Sequence, residues 1–257
     1  DKYMADFIFH IPTNTIFGVD TINRLASMLA PFGSRFLLVC ESIFYEREII
    51  DRIVDILSRK NIETIVYDEI VPNATSSCID EGVKLARGAK IEAVIGLGGI
   101  KTLSIAKCIA MTAPGTQEMD DYLTDIQPQC EPLAYAEIPT TCRNPFMFTN
   151  EYFVIDARNR AGILGNAQQG ITRAIIIDPK LTVSLPPKYT ATTIMDTLLS
   201  AVEGYISTKA NFLSDTLFTS AIGLIGKTIK ENINNPEDLK HRLNSSRAGF
   251  VTAPLCR

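Results

Sequence analysis

The chain has 257 residues, 46% of them hydrophobic, and a formal net charge of −4 at neutral pH. This length accommodates one large or two modest domains, and the mild charge without a basic cluster argues against nucleic acid as a partner. No apolar run reaches the roughly 18 residues needed to cross a bilayer, and no secretory signal opens the chain. We therefore expect a cytoplasmic protein with no membrane partner.

Short apolar segments alternate with helical ones over the first two-thirds of the chain. Strands are predicted at residues 36–39, 64–67, 93–97 and 134–138, and helices at residues 46–59, 78–87 and 101–111. This alternation predicts a parallel sheet covered on both faces by helices. Ligands of such sheets bind beyond the carboxyl ends of the strands.

The remaining third changes character. Residues 147–155 have the composition of a strand that pairs with 162–164 as a hairpin, and residues 174–177 form another strand. After the Pro186-Pro187 pair, helices are predicted at residues 190–207, 214–230 and 236–248, with Thr190 or Thr192 as the first N-cap. We predict an α/β nucleotide-binding domain over residues 1–185 and an all-helical domain over residues 186–257.

A glycine pair ends one of the predicted buried strands. Gly98 and Gly99 follow that strand, and a helix begins at about Lys101. Such a turn directs backbone N–H groups and a helix N-terminus at one point, which suits a phosphate, and the side chains of Lys101 and Thr102 would add donors. Glycines also close ordinary strand–helix turns, and a solvated lysine is the simpler interpretation of Lys101.

Polar residues follow two other strands at the same predicted edge. Glu41 lies just past the strand at residues 36–39, where a carboxylate accepts hydrogen bonds from both ribose hydroxyls and repels a 2′-phosphate. Thr140 and Thr141 follow the strand at residues 134–138 and would line the same groove. A surface glutamate and ordinary turn chemistry are the alternatives.

A helix in the last third carries a possible fragment of a metal site. Asp196, Ser200 and Glu203 share one face at i, i+4 and i+7 spacing. A histidine at the second position would complete half a site, but serine is a poor ligand for a divalent metal. The six cysteines lack C-x-x-C spacing, which favours reduced structural thiols, and the two histidines lie far apart.

Several segments together resemble one family, the iron-containing (group III) alcohol dehydrogenases, which include the glycerol dehydrogenases. The similarity lies in LLVCES at 37–42, VPNATSS at 71–77, GGIKTLSIAK at 98–107, EIPTT at 137–141 and DPKLTVSLPP at 178–187. The resemblance implies a metal and substrate cleft between the two domains. It also implies nicotinamide-cofactor contacts by Glu41, Asn73, Gly98, Gly99, Lys101, Thr140, Thr141, Arg160 and Leu181.

The same resemblance implies a function with named cofactors and partners. It implies an NAD-dependent, iron- or zinc-dependent alcohol or polyol dehydrogenase, with a small alcohol or aldehyde as substrate and a homo-oligomer, such as a dimer, as the assembly. Glu41 favours NAD over NADP. No catalytic residue is assigned.

Departures from the family pattern lead us to expect impaired catalysis. Ile100 stands at the third glycine of the turn, CRNPFM at 142–147 replaces a small-residue loop, and Ser200 replaces a histidine ligand. Asp196 would be the one residual metal ligand, because the family's other two histidine ligands match a region after residue 257. We therefore expect a shortened chain without its metal. A non-catalytic nucleotide-binding or interaction protein that retains the fold is the alternative.

Overall fold

The computed structural model describes residues 8–11, 13–46, 48–70, 75–124 and 126–255. Six parallel strands form a sheet in the order β1-β8-β5-β4-β2-β3, and β6 pairs with β7 in a separate antiparallel hairpin. In chain order the strands are β1 Asn14–Phe17, β2 Arg35–Cys40, β3 Glu63–Tyr67, β4 Ala93–Gly98, β5 Ala134–Pro139, β6 Glu151–Ile155, β7 Gly162–Asn166 and β8 Thr172–Ile177.

The α-helices of the described residues cover both faces of the sheet and continue into a helical C-terminal portion. They are α1 Leu25–Leu29, α2 Ile49–Ser58, α3 Ser76–Gly88, α4 Ile100–Thr112, α5 Met119–Tyr122, α6 Pro187–Ile206, α7 Phe212–Asn234 and α8 Leu239–Thr252. The predicted fold class, a parallel α/β sheet followed by helices, is confirmed.

Strand β2 shows why its sequence reads as one apolar run. Leu37 and Val39 pack on one face with residues of α3 and α4, whereas Phe36, Leu38 and Cys40 pack on the other with residues of α1 and α2. A strand buried on both faces has no polar side, so it shows no alternation. Because β2, β4 and β5 are parallel neighbours, their carboxyl ends meet at one edge of the sheet, where the predicted ligand residues follow.

The helical portion packs against the sheet through α8 and the loop after β5. Phe250 of α8 lies 5.6 Å from Phe17 and 5.8 Å from Phe148, measured between ring centroids. A Cβ atom added at Gly249 would overlap the carbonyl of Cys142, so α8 touches the loop backbone directly. Among the described helices, none is both long and apolar enough to cross a membrane.

Several predicted boundaries differ from the structure by three residues or more, namely the starts of β6, α2, α6 and α8 and the ends of α7 and α8. Two of these differences have a clear physical reason. The strand predicted at residues 147–155 begins only at Glu151, because Lys107 takes the carbonyls of Phe146 and Thr149. The helix predicted from residue 190 begins at Pro187, since proline is well suited to a first helical turn. The Thr190 hydroxyl donates to the carbonyl of Leu185, and the predicted threonine cap is absent.

Candidate functional site

The glycine pair forms the turn that the sequence predicts. Gly98 ends β4 with φ of 153°, a conformation that L side chains rarely adopt, and Gly99 is the N-cap of α4. The first backbone N–H groups of an α-helix have no intrahelical acceptor, and no side chain caps those of α4. An anionic group at this end of α4 would meet both those donors and the positive end of the helix dipole.

Residues from two neighbouring strands close around the turn. The Thr140 N–H donates to the Gly98 carbonyl at 3.0 Å, which fixes the end of β5 against the end of β4. A Cβ atom added at Gly99 would lie 3.6 Å from the Thr141 methyl, an ordinary contact. Glu41 follows β2 and accepts a 2.9 Å hydrogen bond from the Thr102 hydroxyl through its Oε1. The structure thus brings Glu41, the glycine turn, Thr140 and Thr141 together.

That hydrogen bond corrects the expected role of Thr102. The sequence suggested that its hydroxyl faces a phosphate beside the Lys101 ammonium. Thr102 is instead buried and its hydroxyl orients the Glu41 carboxylate, whereas Lys101 is exposed at the start of α4. Thr102 therefore positions the carboxylate of Glu41.

The other residues implied by the resemblance lie further out. Arg160 is exposed in the β6–β7 turn with φ of 62°, and this turn approaches the start of α3, where the Ser76 hydroxyl accepts from the Ala157 N–H. Leu181 is buried beside a cavity of about 590 Å³ that Ile22 and α2 also line. Asn73 lies outside the described residues.

A buried lysine, which sequence reasoning did not single out, holds the backbone of the segment after Thr141. The Lys107 ammonium on α4 donates to the carbonyls of Phe146, Thr149 and Glu151 at 2.9, 3.0 and 3.1 Å. It also lies 3.4 Å from Oε1 of Glu137, and both side chains are 1% exposed. The replacement of a glycine-containing loop by CRNPFM therefore leaves a firmly anchored backbone.

Glu137 completes this buried polar cluster. Burial raises the pKa of its carboxyl, and Lys107 together with hydrogen bonds from Asn144 and Tyr135 opposes that rise. Asn144 donates to Glu137 at 3.0 Å and accepts from the Phe146 N–H at 3.1 Å. The sequence did contain a signal: a lysine and a glutamate inside otherwise apolar segments are almost never fully buried unless paired.

Ser104 shows a second contact across the same helix. Its hydroxyl is buried and accepts from the Phe153 N–H at 3.1 Å, so α4 supports β6 as well as the loop. Sequence reasoning assigned no role to Ser104. In this chain it has a structural contact of its own.

The residual metal ligand has a different partner from the one expected. Oδ2 of Asp196 accepts a 2.8 Å hydrogen bond from Nε of Arg143, which lies in the CRNPFM segment. Ser200 follows one turn later, and the described part of the chain contains no group of three His, Cys, Asp or Glu residues that would hold a metal ion. The residues described here do not fit a divalent metal site.

Four of the described cysteines, Cys40, Cys78, Cys108 and Cys142, are buried, Cys130 is exposed, and none of these five forms a disulfide. Burial raises the pKa of Cys40 to about 12, so its thiol is a poor nucleophile at neutral pH. Cys256 lies outside the described residues.

Fold and site together define an α/β protein with a helical C-terminal portion and a glycine turn at the carboxyl edge of its parallel sheet. Residues 12–179 match the family model described as iron-containing alcohol dehydrogenase, and residues 190–253 match that of the C-terminal part of the same family. The chain belongs to the iron-containing alcohol dehydrogenase family.

Individual relatives agree with this assignment. The long-chain-alcohol dehydrogenase 1 of Geobacillus thermodenitrificans is 28% identical over 238 residues, covering 91% of this chain and 60% of that protein. The chain thus spans about 60% of the length of this curated relative.

Solved structures of similar fold extend the comparison. NADH-dependent butanol dehydrogenase A of Thermotoga maritima matches with a TM-score of 0.88 at 23% identity, covering 100% of this chain and 66% of that one. Sulfoacetaldehyde reductase of Bifidobacterium kashiwanohense, solved in complex with NAD+, matches with a TM-score of 0.90 at 21% identity, covering 98% and 67%. At these identities the likeness shows the fold.

Proposed function

We propose that this chain is a dehydrogenase-type oxidoreductase that binds NAD at the glycine turn and whose catalysis is impaired. The observation that carries the nucleotide site is the uncapped N-terminus of α4, opened by Gly98 and Gly99 directly beside Glu41. Free backbone donors suit a pyrophosphate, and an acidic group one strand away suits a ribose. The residues present therefore fit a dinucleotide.

The role of Glu41 follows from its hydrogen bonding. The Thr102 hydroxyl occupies Oε1, and no described residue donates to Oε2. Oε2 is thus available to accept from ribose hydroxyls, and its charge disfavours a 2′-phosphate. Glu41 favours NAD over NADP for this reason.

The remaining assignments concern residues around the glycine turn and on its flanks. Lys101 would add a positive charge near the pyrophosphate, and Thr140 and Thr141 would line the groove next to it. Arg160 and Leu181 would contact the nucleotide from the two flanks. Ile100, at the start of α4, narrows the approach that a third glycine would leave open.

The substrate is proposed from the family alone. NAD accepts or donates a hydride, so the partner would be a small alcohol or the corresponding aldehyde. We also propose a homo-oligomer on the same basis. We derive no step through a metal, because Asp196 already binds Arg143 and Ser200 is not a metal ligand.

A second candidate function is supported by these same departures. Ser200 and the Arg143–Asp196 pair remove the expected ligand set, while the glycine turn and Glu41 persist. A member that binds the nucleotide without turning over a substrate would show this combination. The two candidates share the nucleotide site and differ in turnover.

Calorimetric titration with NAD tests the shared part. We expect saturable binding, weakened several-fold in Lys101→Ala because one favourable charge is lost. Lys84→Ala, which removes an exposed lysine of α3, is the matched control and should leave the affinity unchanged. Glu41→Gln should reduce the preference for NAD over NADP. Absence of NAD binding to the folded chain would refute the proposal.

Turnover assays separate the two candidates. Oxidation of short alcohols and diols with NAD, and reduction of the aldehydes with NADH, are followed at added Fe²⁺ or Zn²⁺ and without metal. Detectable but slow turnover supports the impaired enzyme. Binding of NAD without turnover under all these conditions supports the non-catalytic member.

A further inference from the structure

We propose that the guanidinium of Arg143 is the permanent counter-charge of Asp196, in the place where a divalent cation would bind this carboxylate. The pair is a directional ion pair, with 2.8 Å between Nε and Oδ2. It joins the loop after β5 to α6, and hence the sheet to the helical portion. This inference concerns the metal position and does not depend on NAD binding.

The two partners differ in exposure, which indicates which of them is fixed in place. The Arg143 side chain is 14% exposed, whereas that of Asp196 is 53% exposed. An arginine that is mostly buried needs a counter-charge more than an exposed carboxylate does. Removing the carboxylate from this arginine would therefore be costly.

The backbone on both sides of Arg143 is held in place. The Thr141 hydroxyl donates to the Arg143 carbonyl at 3.1 Å, and the sulfur of Cys142 lies 3.7 Å from the hydroxyls of both Thr193 and Thr197 on α6. On the other side, Asn144 is bonded to the buried Glu137. Because the loop is anchored, little conformational entropy is lost when the pair forms.

A divalent cation on Asp196 would have to displace this guanidinium. A metal about 2.1 Å from the carboxylate oxygen would lie within roughly 5 Å of Nε of Arg143. Two positive groups at that distance repel, and moving the guanidinium away would leave a mostly buried charge unpaired. Among the described residues, no group of three or more histidine, cysteine or acidic side chains provides the ligands that would offset this cost.

Zinc titration of three variants tests whether Arg143 competes with a metal for Asp196. Ser200→His places an imidazole one helical turn from Asp196 and creates a weak two-ligand site. Adding Arg143→Gln to this variant should tighten Zn²⁺ binding by at least about tenfold, because a like charge roughly 5 Å away is lost. Arg59→Gln in the Ser200→His background removes an exposed arginine of a surface pair and should leave the affinity unchanged.

A second measurement starts from the unmodified protein. The full chain, as its gene encodes it, is dialysed against Fe²⁺ or Zn²⁺, and the bound metal is counted by mass spectrometry. We expect substoichiometric metal and no rise in Tm with added Zn²⁺. Stoichiometric metal that disappears in Asp196→Asn would overturn the proposal, as would an equal Zn²⁺ affinity of the Arg143→Gln and Arg59→Gln double variants. NAD titration of the same samples shows separately whether the proposed function holds.

Discussion

Lys107 is a buried charged residue on which the surrounding backbone depends. Its ammonium is fully enclosed, bonded to three carbonyls, close to the Glu137 carboxylate and 5.9 Å above the Tyr135 ring. A buried charge of this kind is tolerated only when its partners are in place. The side chain therefore links the stability of α4 to the path of the loop that carries Arg143.

Lys107→Met tests this role. The change leaves the Glu137 carboxylate without its cation and three carbonyls without a donor, so we expect a loss of about 3–5 kcal/mol in the free energy of unfolding. Urea denaturation measures it. Lys84→Met, at an exposed position of α3, is the control and should change the stability by less than about 0.5 kcal/mol.

The pH dependence of that variant identifies the cause. Without Lys107 the pKa of Glu137 rises further above its ordinary value of 4.5, because burial is no longer opposed by a positive charge. A carboxyl whose pKa is higher in the folded state destabilises the fold as pH rises above the unfolded value. The deficit of Lys107→Met should therefore shrink from pH 7 toward pH 4.5. A deficit independent of pH would contradict the electrostatic explanation.

At the level of elements, the sequence predicts regular structure better than it predicts contacts. The strands β2, β4 and β5 and the helix α4 appear within one or two residues of their predicted ranges, because apolar residues dominate these segments. The error at residues 147–150 arises because the pairing of that backbone depends on Lys107, about forty residues earlier in the chain. Periodicity within the segment carries no information about such a partner.

The candidate site shows the same division. The sequence predicts that Glu41, Gly98 and Thr140 meet, because the carboxyl ends of neighbouring parallel strands coincide. It does not predict that Thr102 donates to Glu41 or that Arg143 reaches Asp196. Those contacts depend on rotamers and on how α6 packs against the loop.

The packing of α8 gives a prediction that distinguishes two glycines. Gly249→Ala would bring a methyl group into the Cys142 carbonyl, and backbone on both sides prevents relief, so we expect a loss of about 1–3 kcal/mol. Gly223 lies on the exposed face of α7, and a Cβ atom added there would meet no heavy atom within 4 Å. Gly223→Ala should therefore increase the free energy of unfolding by about 0.5–1 kcal/mol. Thermal unfolding compares the two, and equal effects would show that the α8 contact is looser than described.

At the level of the molecule, the sheet and the helical portion share core residues. Cys142, from the loop after β5, packs in the cluster of Ile194, Phe218 and Ala248. Ala253, just past α8, packs with Ile175 and Ile177 of β8. The boundary predicted near residue 185 thus separates two compositions, and we propose that it does not separate two independently folding units.

Hydrogen exchange tests this proposal. The slowest amides of β4, in the sheet, and of α7, in the helical portion, should report opening free energies that agree within about 1 kcal/mol, since loss of either part exposes the shared core. The protein exchanges under native conditions, and the exchange is then quenched and read from proteolytic peptides. A value for α7 far below that for β4 would establish two separate folding units.

The hydrogen bonds of Lys107 to main-chain oxygens have a consequence for how this sequence can change in evolution. Three hydrogen bonds of this ammonium go to main-chain carbonyls, so they do not depend on which side chains Phe146, Thr149 and Glu151 carry. These three positions can therefore change their side chains in evolution while the path of their backbone persists, whereas Asn144 is constrained by its bond to Glu137. Sequence comparison across residues 146–151 will therefore underestimate how similar the backbone of two relatives is.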